Sequence, residues 1–137
     1  MQIQPYLFYD GRCEEAVRFY ESALGAEVDM LMRYRENPGA TCPDQIRPGM
    51  DDKIMHASLR IGDAVLMASD DCSLHPKDFG GFSLSINPPD TATAERMFAA
   101  LADGGHVQMP LGETFWSPCF GMLVDRFGVG WMINVEP

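Results

Sequence analysis

Few residues of this chain have side chains that could do chemistry, and most of those sit where polar and apolar positions alternate. His56 lies in Met55-His56-Ala57-Ser58-Leu59-Arg60-Ile61. Successive side chains of a strand point to opposite faces, so His56, Ser58 and Arg60 share one face and Ala57, Leu59 and Ile61 the other. An imidazole on a polar strand face is a candidate general acid or base, or a hydrogen-bond partner for a ligand; the alternative is a structural histidine satisfied within the fold. Ser83 and Ser85 share a face with Asn87 in Phe82-Ser83-Leu84-Ser85-Ile86-Asn87, where two hydroxyls either donate to a polar ligand or face solvent. Met67 and Met132 stand in apolar strands and supply either a soft pocket floor or plain core packing, in a chain with ten methionines. Trp116, with Phe115 and Phe120, can stack on a flat ligand; a hairpin wedge or a subunit contact explains it equally well.

Other chemistries lack their residues. The four cysteines, Cys13, Cys42, Cys72 and Cys119, are spread singly with no C-x-x-C, so neither a zinc knuckle nor a thioredoxin-type pair is available and free thiols are expected. His75 and His106 fall in a loop and near a helix end. Gly128-Val129-Gly130 is the one G-x-G, but it lies in a hairpin rather than between a strand and a helix, so it is no nucleotide fingerprint. The net charge of −10, with ten basic residues scattered among twenty acids, excludes a phosphate-tracking nucleic-acid partner. No run of eighteen apolar residues exists to span a membrane. The start, Met1-Gln2-Ile3-Gln4-Pro5, has neither a basic nor an apolar leader region, and a cytoplasmic location is expected.

The elements that must position these residues are written twice. Ile3 to Tyr9 reads as a strand, and Glu14 to Leu24 as an amphipathic helix with acids in its first turn and Gly25 as its left-handed stop. Strands follow at Glu27–Tyr34, Lys53–Arg60 and Ala64–Ala68, the last two joined by a Gly62-Asp63 turn. After a polar linker, the order repeats: a strand Phe82–Asn87, a helix capped by Asp90 or Thr91 and stopped at Gly104-Gly105, and strands Val107–Thr114, Cys119–Asp125 and Gly130–Val135. Phe19, Gly25 and Val28 recur as Phe98, Gly104 and Val107 at an offset of 79, whereas Leu66-Met67-Ala68 recurs as Trp131-Met132-Ile133 at 65. The missing fourteen residues belong to Glu36–Asp52, rich in proline and glycine, which is expected to be a long loop and a candidate lid. Its Asp44 and Asp51-Asp52 are either a cation site or a solvated acidic stretch. The expectation is one domain over 1–137, with module one about 1–69 and module two about 80–137. Phe82, Leu84 and Ile86 should lie under the second helix, and Trp131, Ile133 and Val135 should point inward opposite Met132 and Asn134.

Three blocks carry a resemblance: Pro5-Tyr6-Leu7-Phe8-Tyr9-Asp10-Gly11-Arg12-Cys13-Glu14-Glu15-Ala16 with Phe19-Tyr20; Met55 to Asp63; and Asp125-Arg126-Phe127-Gly128-Val129 with Trp131 to Val135. In these the chain resembles the PhnB-like branch of the glyoxalase, bleomycin-resistance and dioxygenase (vicinal oxygen chelate) superfamily. The resemblance implies an α+β fold of two tandem βαβββ modules forming a cup-shaped mixed sheet, commonly in a homodimer, with the ligand cleft between the polar strand faces. It also implies that a metal would sit on the first and last strands of each module, at or beside Pro5, Met67, Gly81 and Met132. None of these is a ligand for a hard divalent ion, which wants imidazole or carboxylate, so no catalytic metal and no cofactor are expected.

Two functions remain open at the level of sequence. One is an enzyme without the usual metal site, a lyase, isomerase or transferase using His56 as acid or base, with Ser58, Arg60, Met67, Ser83, Ser85, Trp116 and Met132 lining the ligand pocket. The other is a protein that binds and sequesters a small molecule without chemistry, as bleomycin-resistance proteins do. Methyl transfer is the weakest reading, because no Gly-rich strand-to-helix loop is present for a methyl donor.

Overall fold

A computed structural model of the chain describes residues 1–36, 49–71 and 78–137. The chain divides into two units, Met1–Lys77 and Asp78–Pro137. Among the described residues, the first unit runs β1 (Tyr6–Tyr9), α1 (Cys13–Leu24), β2 (Glu27–Arg33), a short 3-10 turn, β3 (Ile54–Ile61) and β4 (Ala64–Asp70). The second runs β5 (Leu84–Ile86), α2 (Thr91–Ala102), β6 (His106–Gly112), β7 (Cys119–Val124) and β8 (Gly130–Val135). Each unit holds a four-stranded mixed sheet with one helix, in the orders β1-β4-β3-β2 and β5-β8-β7-β6; the first strand of each unit pairs parallel to the last. The α+β class and the doubled βαβββ order are as the sequence leads one to expect.

The repeat extends to the register. Val28 lies opposite Leu59, and Val107 opposite Leu123; in both ladders a bulge follows, after which Met30 meets Ser58 and Met109 meets Met122. Leu59 then faces Leu66, as Leu123 faces Trp131. The offset between copies is therefore 79 at β2/β6, 64 at β3/β7 and 65 at β4/β8. Fifteen extra residues lie between β2 and β3, and the second β-hairpin is one residue longer than the first. The segment that holds the insertion, including Cys42 and Asp44, lies mostly outside the described residues, as do Cys72 and His75. The lid expectation for Glu36–Asp52 rests largely on that stretch.

Helix α1 ends at Gly25, whose φ of 67° needs no Cβ to be avoided and whose N–H closes back on Glu21 and Tyr20 carbonyls. Its other end has no capping side chain of its own. The Cys13 N–H instead donates to Asp70 Oδ1 at 2.9 Å, while Asp70 Oδ2 accepts from Ile54 N–H at 2.9 Å. One carboxylate, 1% exposed, thus ties α1, β3 and β4 together. Helix α2 is capped locally by Asp90, which accepts from Thr93 N–H at 2.7 Å and is held below the usual carboxylate range by that bond. It approaches its sheet closely at Gly121, where any Cβ would stand 2.8 Å from the Phe98 ring.

The inward faces follow the alternation: Ala57 and Leu59 in one unit, Trp131, Ile133 and Val135 in the other, are all buried. Two strands begin later than expected. β1 starts at Tyr6, leaving Ile3 exposed. β5 covers only Leu84–Ile86, so Phe82 is not under α2 but 47% exposed. The partner strand ends there: the register would set Phe82 opposite Val129, which lies in the turn before β8 begins at Gly130 and points both its backbone groups at Asp125 rather than at β5. His106, expected near a helix end, is the first residue of β6 and exposed.

Candidate functional site

Because each helix covers one face of its sheet, the remaining faces are where polar strand residues gather. In the first unit that face holds a row across all four strands: Tyr6 opposite Met67, Met67 opposite Ser58, Ser58 opposite Met30. His56 stands one step along β3, opposite Met32. The Tyr6 hydroxyl and His56 Nδ1 share a hydrogen bond of 3.0 Å, with the two rings 5.6 Å apart and Phe8 4.8 Å from Tyr6. Both members of the pair are half-buried.

That bond gives the imidazole two useful states. With the phenol donating to Nδ1, the proton of the neutral ring sits on Nε2, which can donate to a ligand oxygen. In the other tautomer Nδ1–H donates to the phenol and Nε2 is free to accept a proton. Either way one ring nitrogen is fixed by the protein and the other is left for chemistry, the geometry a general acid or base needs.

Arg60 shares the face but is already engaged. Its guanidinium donates to Glu27 and, at 3.3 Å, to Asp29, so it offers a ligand a neutralised group rather than a free cation. Ser58 and Met67 lie with Tyr6 and His56; Ser83, Ser85, Trp116 and Met132 belong to the second unit.

There the equivalent row reads Ser85, Met132, Met122, Met109. The next one places Asn134 opposite Phe120, with Asn87 Nδ2 donating to the Asn134 carbonyl at 3.1 Å. Asn134 Oδ1 is buried and, among the described residues, accepts no hydrogen bond. An orphaned acceptor of this kind costs roughly 1–3 kcal/mol, which a donor on a bound molecule would recover. Trp116 packs edge-on against Phe120 at 5.3 Å, with Phe115 edge-on to it at 4.8 Å. The turn that presents them is braced: Thr114 N–H donates to the Ser117 carbonyl, and the buried Ser117 hydroxyl lies 2.7 Å from the Val135 carbonyl and 2.9 Å from that of Cys119. Around it lies a shallow depression of about 250 Å³, lined by Phe115, Trp116, Pro118 and Pro137 among others. Ser83 precedes β5 and lies over Gly130, where a Cβ would come within 2.9 Å of its hydroxyl.

The places where superfamily members hold a metal do not suit one here. Met67 and Met132 occupy matching ladder positions, opposite Tyr6 and Ser85. Pro5 offers only its carbonyl, which already accepts from Met67 N–H at 3.1 Å. By the register its counterpart is Leu84 rather than Gly81, and Leu84 is no better a ligand. Among the described residues, no three His, Cys, Asp or Glu side chains gather as a metal cluster. Thioethers and a tied carbonyl do not form a donor set for a hard divalent ion.

Sequence reasoning missed Tyr6, Met30, Met109 and Met122. The period-2 rule assigns faces within a strand, but these four take their places on the two open faces through pairing between strands, which alternation alone does not reveal.

Comparison with known proteins agrees with this architecture. A family model described as 3-demethylubiquinone-9 3-methyltransferase matches residues 1–134. Protein YjdN of Escherichia coli is 35% identical, over 98% of this chain and 95% of its own. Among solved structures, protein PA1353 of Pseudomonas aeruginosa superposes with a TM-score of 0.87 at 46% identity, covering 99% of this chain and 98% of that one. A putative 3-demethylubiquinone-9 3-methyltransferase, PhnB protein, from Bacillus cereus does so at 0.80 and 28% identity, covering 99% and 100%. The fold alone is shared with a glyoxalase-related enzyme from Fulvimarina pelagi, at a TM-score of 0.61 and 18% identity over 100% of this chain and 90% of that one.

Proposed function

The chain belongs to the PhnB-like family of the vicinal oxygen chelate superfamily, and on that basis we propose that it binds a small molecule on the helix-free face of its first sheet and acts on it with His56 as acid or base. The observation that carries this reading is the Tyr6–His56 hydrogen bond of 3.0 Å. It holds one imidazole nitrogen on a face that also presents the Ser58 hydroxyl and the soft surfaces of Phe8 and Met67. Among the described residues the face adds no free cation, since Arg60 is paired with two carboxylates, which favours a neutral or cationic molecule over an anionic one. The orphaned Asn134 Oδ1 asks for a hydrogen-bond donor on whatever binds the second unit's face.

The second reading is binding without chemistry, favoured by Trp116 and Phe115, exposed by 45% and 96%. Aromatic surface so open is suited to stacking, or to covering by a second copy in the homodimer that family resemblance implies. Sedimentation equilibrium tests that assembly: a mass of twice 15.2 kDa is expected, and a monomer at all concentrations would sink it.

Methyl transfer, which the family's description names, finds little support in this chain. Among the described residues, the strand-to-helix connections are Asp10-Gly11-Arg12 and Asn87-Pro88-Pro89-Asp90, neither a Gly-rich loop of the kind that cradles a nucleotide-like donor.

A set of neutral and cationic aromatic compounds, followed by proton NMR over hours, separates the two main readings. A hit that shifts the Tyr6 and His56 ring resonances and is consumed by the parent, but is bound unchanged by His56→Gln, establishes the enzyme. Shifts without consumption establish sequestration, and hits that leave both rings unmoved remove the first unit's face from the site.

A further inference from the structure

We propose that Met109, Met122 and Met132 form a thioether site for a soft monovalent cation, Cu(I) by its chemistry. These three residues lie on adjacent strands at one level of the ladder, Met109 opposite Met122 and Met122 opposite Met132. Directly opposed residues place their Cβ atoms about 4.5–5.5 Å apart, and an unbranched thioether side chain has the freedom to lean inward from there. The central methionine alternates with Gly121, which sits under Phe98 of α2, so the row is on the face the helix leaves uncovered. Met122 and Met132 are half-buried and Met109 is 43% exposed, which shelters the sulfurs while leaving a way in from solution.

Three neutral thioethers are a donor set for Cu(I) or Ag(I), and a poor one for zinc, iron or manganese. A chain of net charge −10 concentrates cations around itself. The described thiols compete weakly, because burial pushes the Cys13 and Cys119 thiols up and keeps them protonated. The first unit's counterpart row has Ser58 where the second has Met122, so it lacks the central sulfur and one site per chain is expected. This site uses only the second unit and is independent of the role given to His56.

The test is titration of the protein with Cu(I) under ascorbate against bicinchoninate, in a Cys42→Ser/Cys72→Ser background that removes the two other thiols. One equivalent of Cu(I) should move from the chelator to the protein, zinc should not displace it, and Met122→Leu or Met109→Leu should weaken uptake about tenfold or more. Leucine keeps the volume of methionine in a half-buried place, so the variants should remain folded. On the natural chain carrying methyl-labelled methionine, Ag(I) should shift three of the ten methyl signals, and these should be the ones assigned to Met109, Met122 and Met132. No uptake, uptake unchanged by Met122→Leu, or shifts confined to other methionines would overturn the proposal.

Discussion

The two units share a ladder, down to the bulge that follows Val28 and Val107, yet they differ in what they place on it and in how they are fastened. The first unit's open face is mixed: the protic groups of Tyr6, His56 and Ser58 interleave with the thioethers of Met30, Met32 and Met67. The second unit's is sulfur and amide: Met109, Met122, Met132 and Asn134. The fastening differs in reach. Asp70 of β4 reaches back 57 residues to Cys13 of α1 and 16 to Ile54 of β3, whereas Asp125 accepts from Phe127 and Val129 N–H at 2.9 and 3.1 Å and from Trp131 Nε1 at 2.9 Å, all within its own hairpin. Duplication conserves the backbone pairing because the register is set by buried apolar residues on the helix side. The other face is free to diverge, and there the two copies have taken different chemistry.

The strongest way to break this comparison is to weaken the two aspartates separately. In Asp70→Asn, whichever way the amide turns, its NH₂ faces either Cys13 N–H or Ile54 N–H, leaving a buried donor unpaired at the start of α1 or on β3. A loss of about 3 kcal/mol is expected. In Asp125→Asn the oxygen can keep both turn N–H groups while the Trp131 indole N–H faces the amide NH₂ in place of Oδ2, for about 2 kcal/mol. Urea unfolding followed by far-UV circular dichroism gives both losses, and hydrogen exchange shows which amides open. Equal losses, or the larger one at Asp125, would remove the distinction between long-range and local fastening.

How much of this could be read from sequence follows the same division. Local rules worked where the cause was local: Gly25 as a left-handed stop, Asp90 as a cap, and the burial of Ala57, Leu59, Trp131 and Ile133 by period-2 alternation. The paired offsets also located the insertion, though its length of fifteen emerged only once the longer second hairpin had been counted. What failed was anything that depends on which strand lies beside which. Tyr6 meets His56 only because β1 pairs parallel with β4 and β4 with β3; neither side chain announces the other across fifty residues. The methionine row needs the bulge after Val107, which shifts Met109 into line with Met122. The missing strand residues before Leu84 trace to a turn forty residues on. Face chemistry in a repeat is thus harder to read than the repeat itself.

A smaller contrast lies at the helix starts and is read by pH. Helix α1 carries Glu14 in its first turn, whose carboxylate receives both Arg33 Nη groups, at 2.6 and 3.0 Å; the corresponding position in α2 is Thr93, and the first turn of α2 has no acid. Hydrogen bonding to Arg33, helped by the charges of Arg33 and Arg18, holds the Glu14 carboxyl below its ordinary value of 4.5, against the opposing effect of burial. A carboxyl depressed in the folded state contributes stability that is fully present above its unfolded value and is lost as pH falls through the folded one. With the glutamate side chain 42% exposed and Arg33 25%, solvent screens the pair, so Glu14→Gln should cost only about half a kcal/mol at neutral pH. That difference should shrink as pH drops below 4.5, and should also shrink in 1 M salt, where the Debye length is about 3 Å. Urea midpoints of parent and variant at pH 7, pH 3 and high salt provide the check. A gap that persisted undiminished at pH 3 would mean that Glu14 acts through packing rather than charge, and the contrast between the two helix starts would then not be electrostatic.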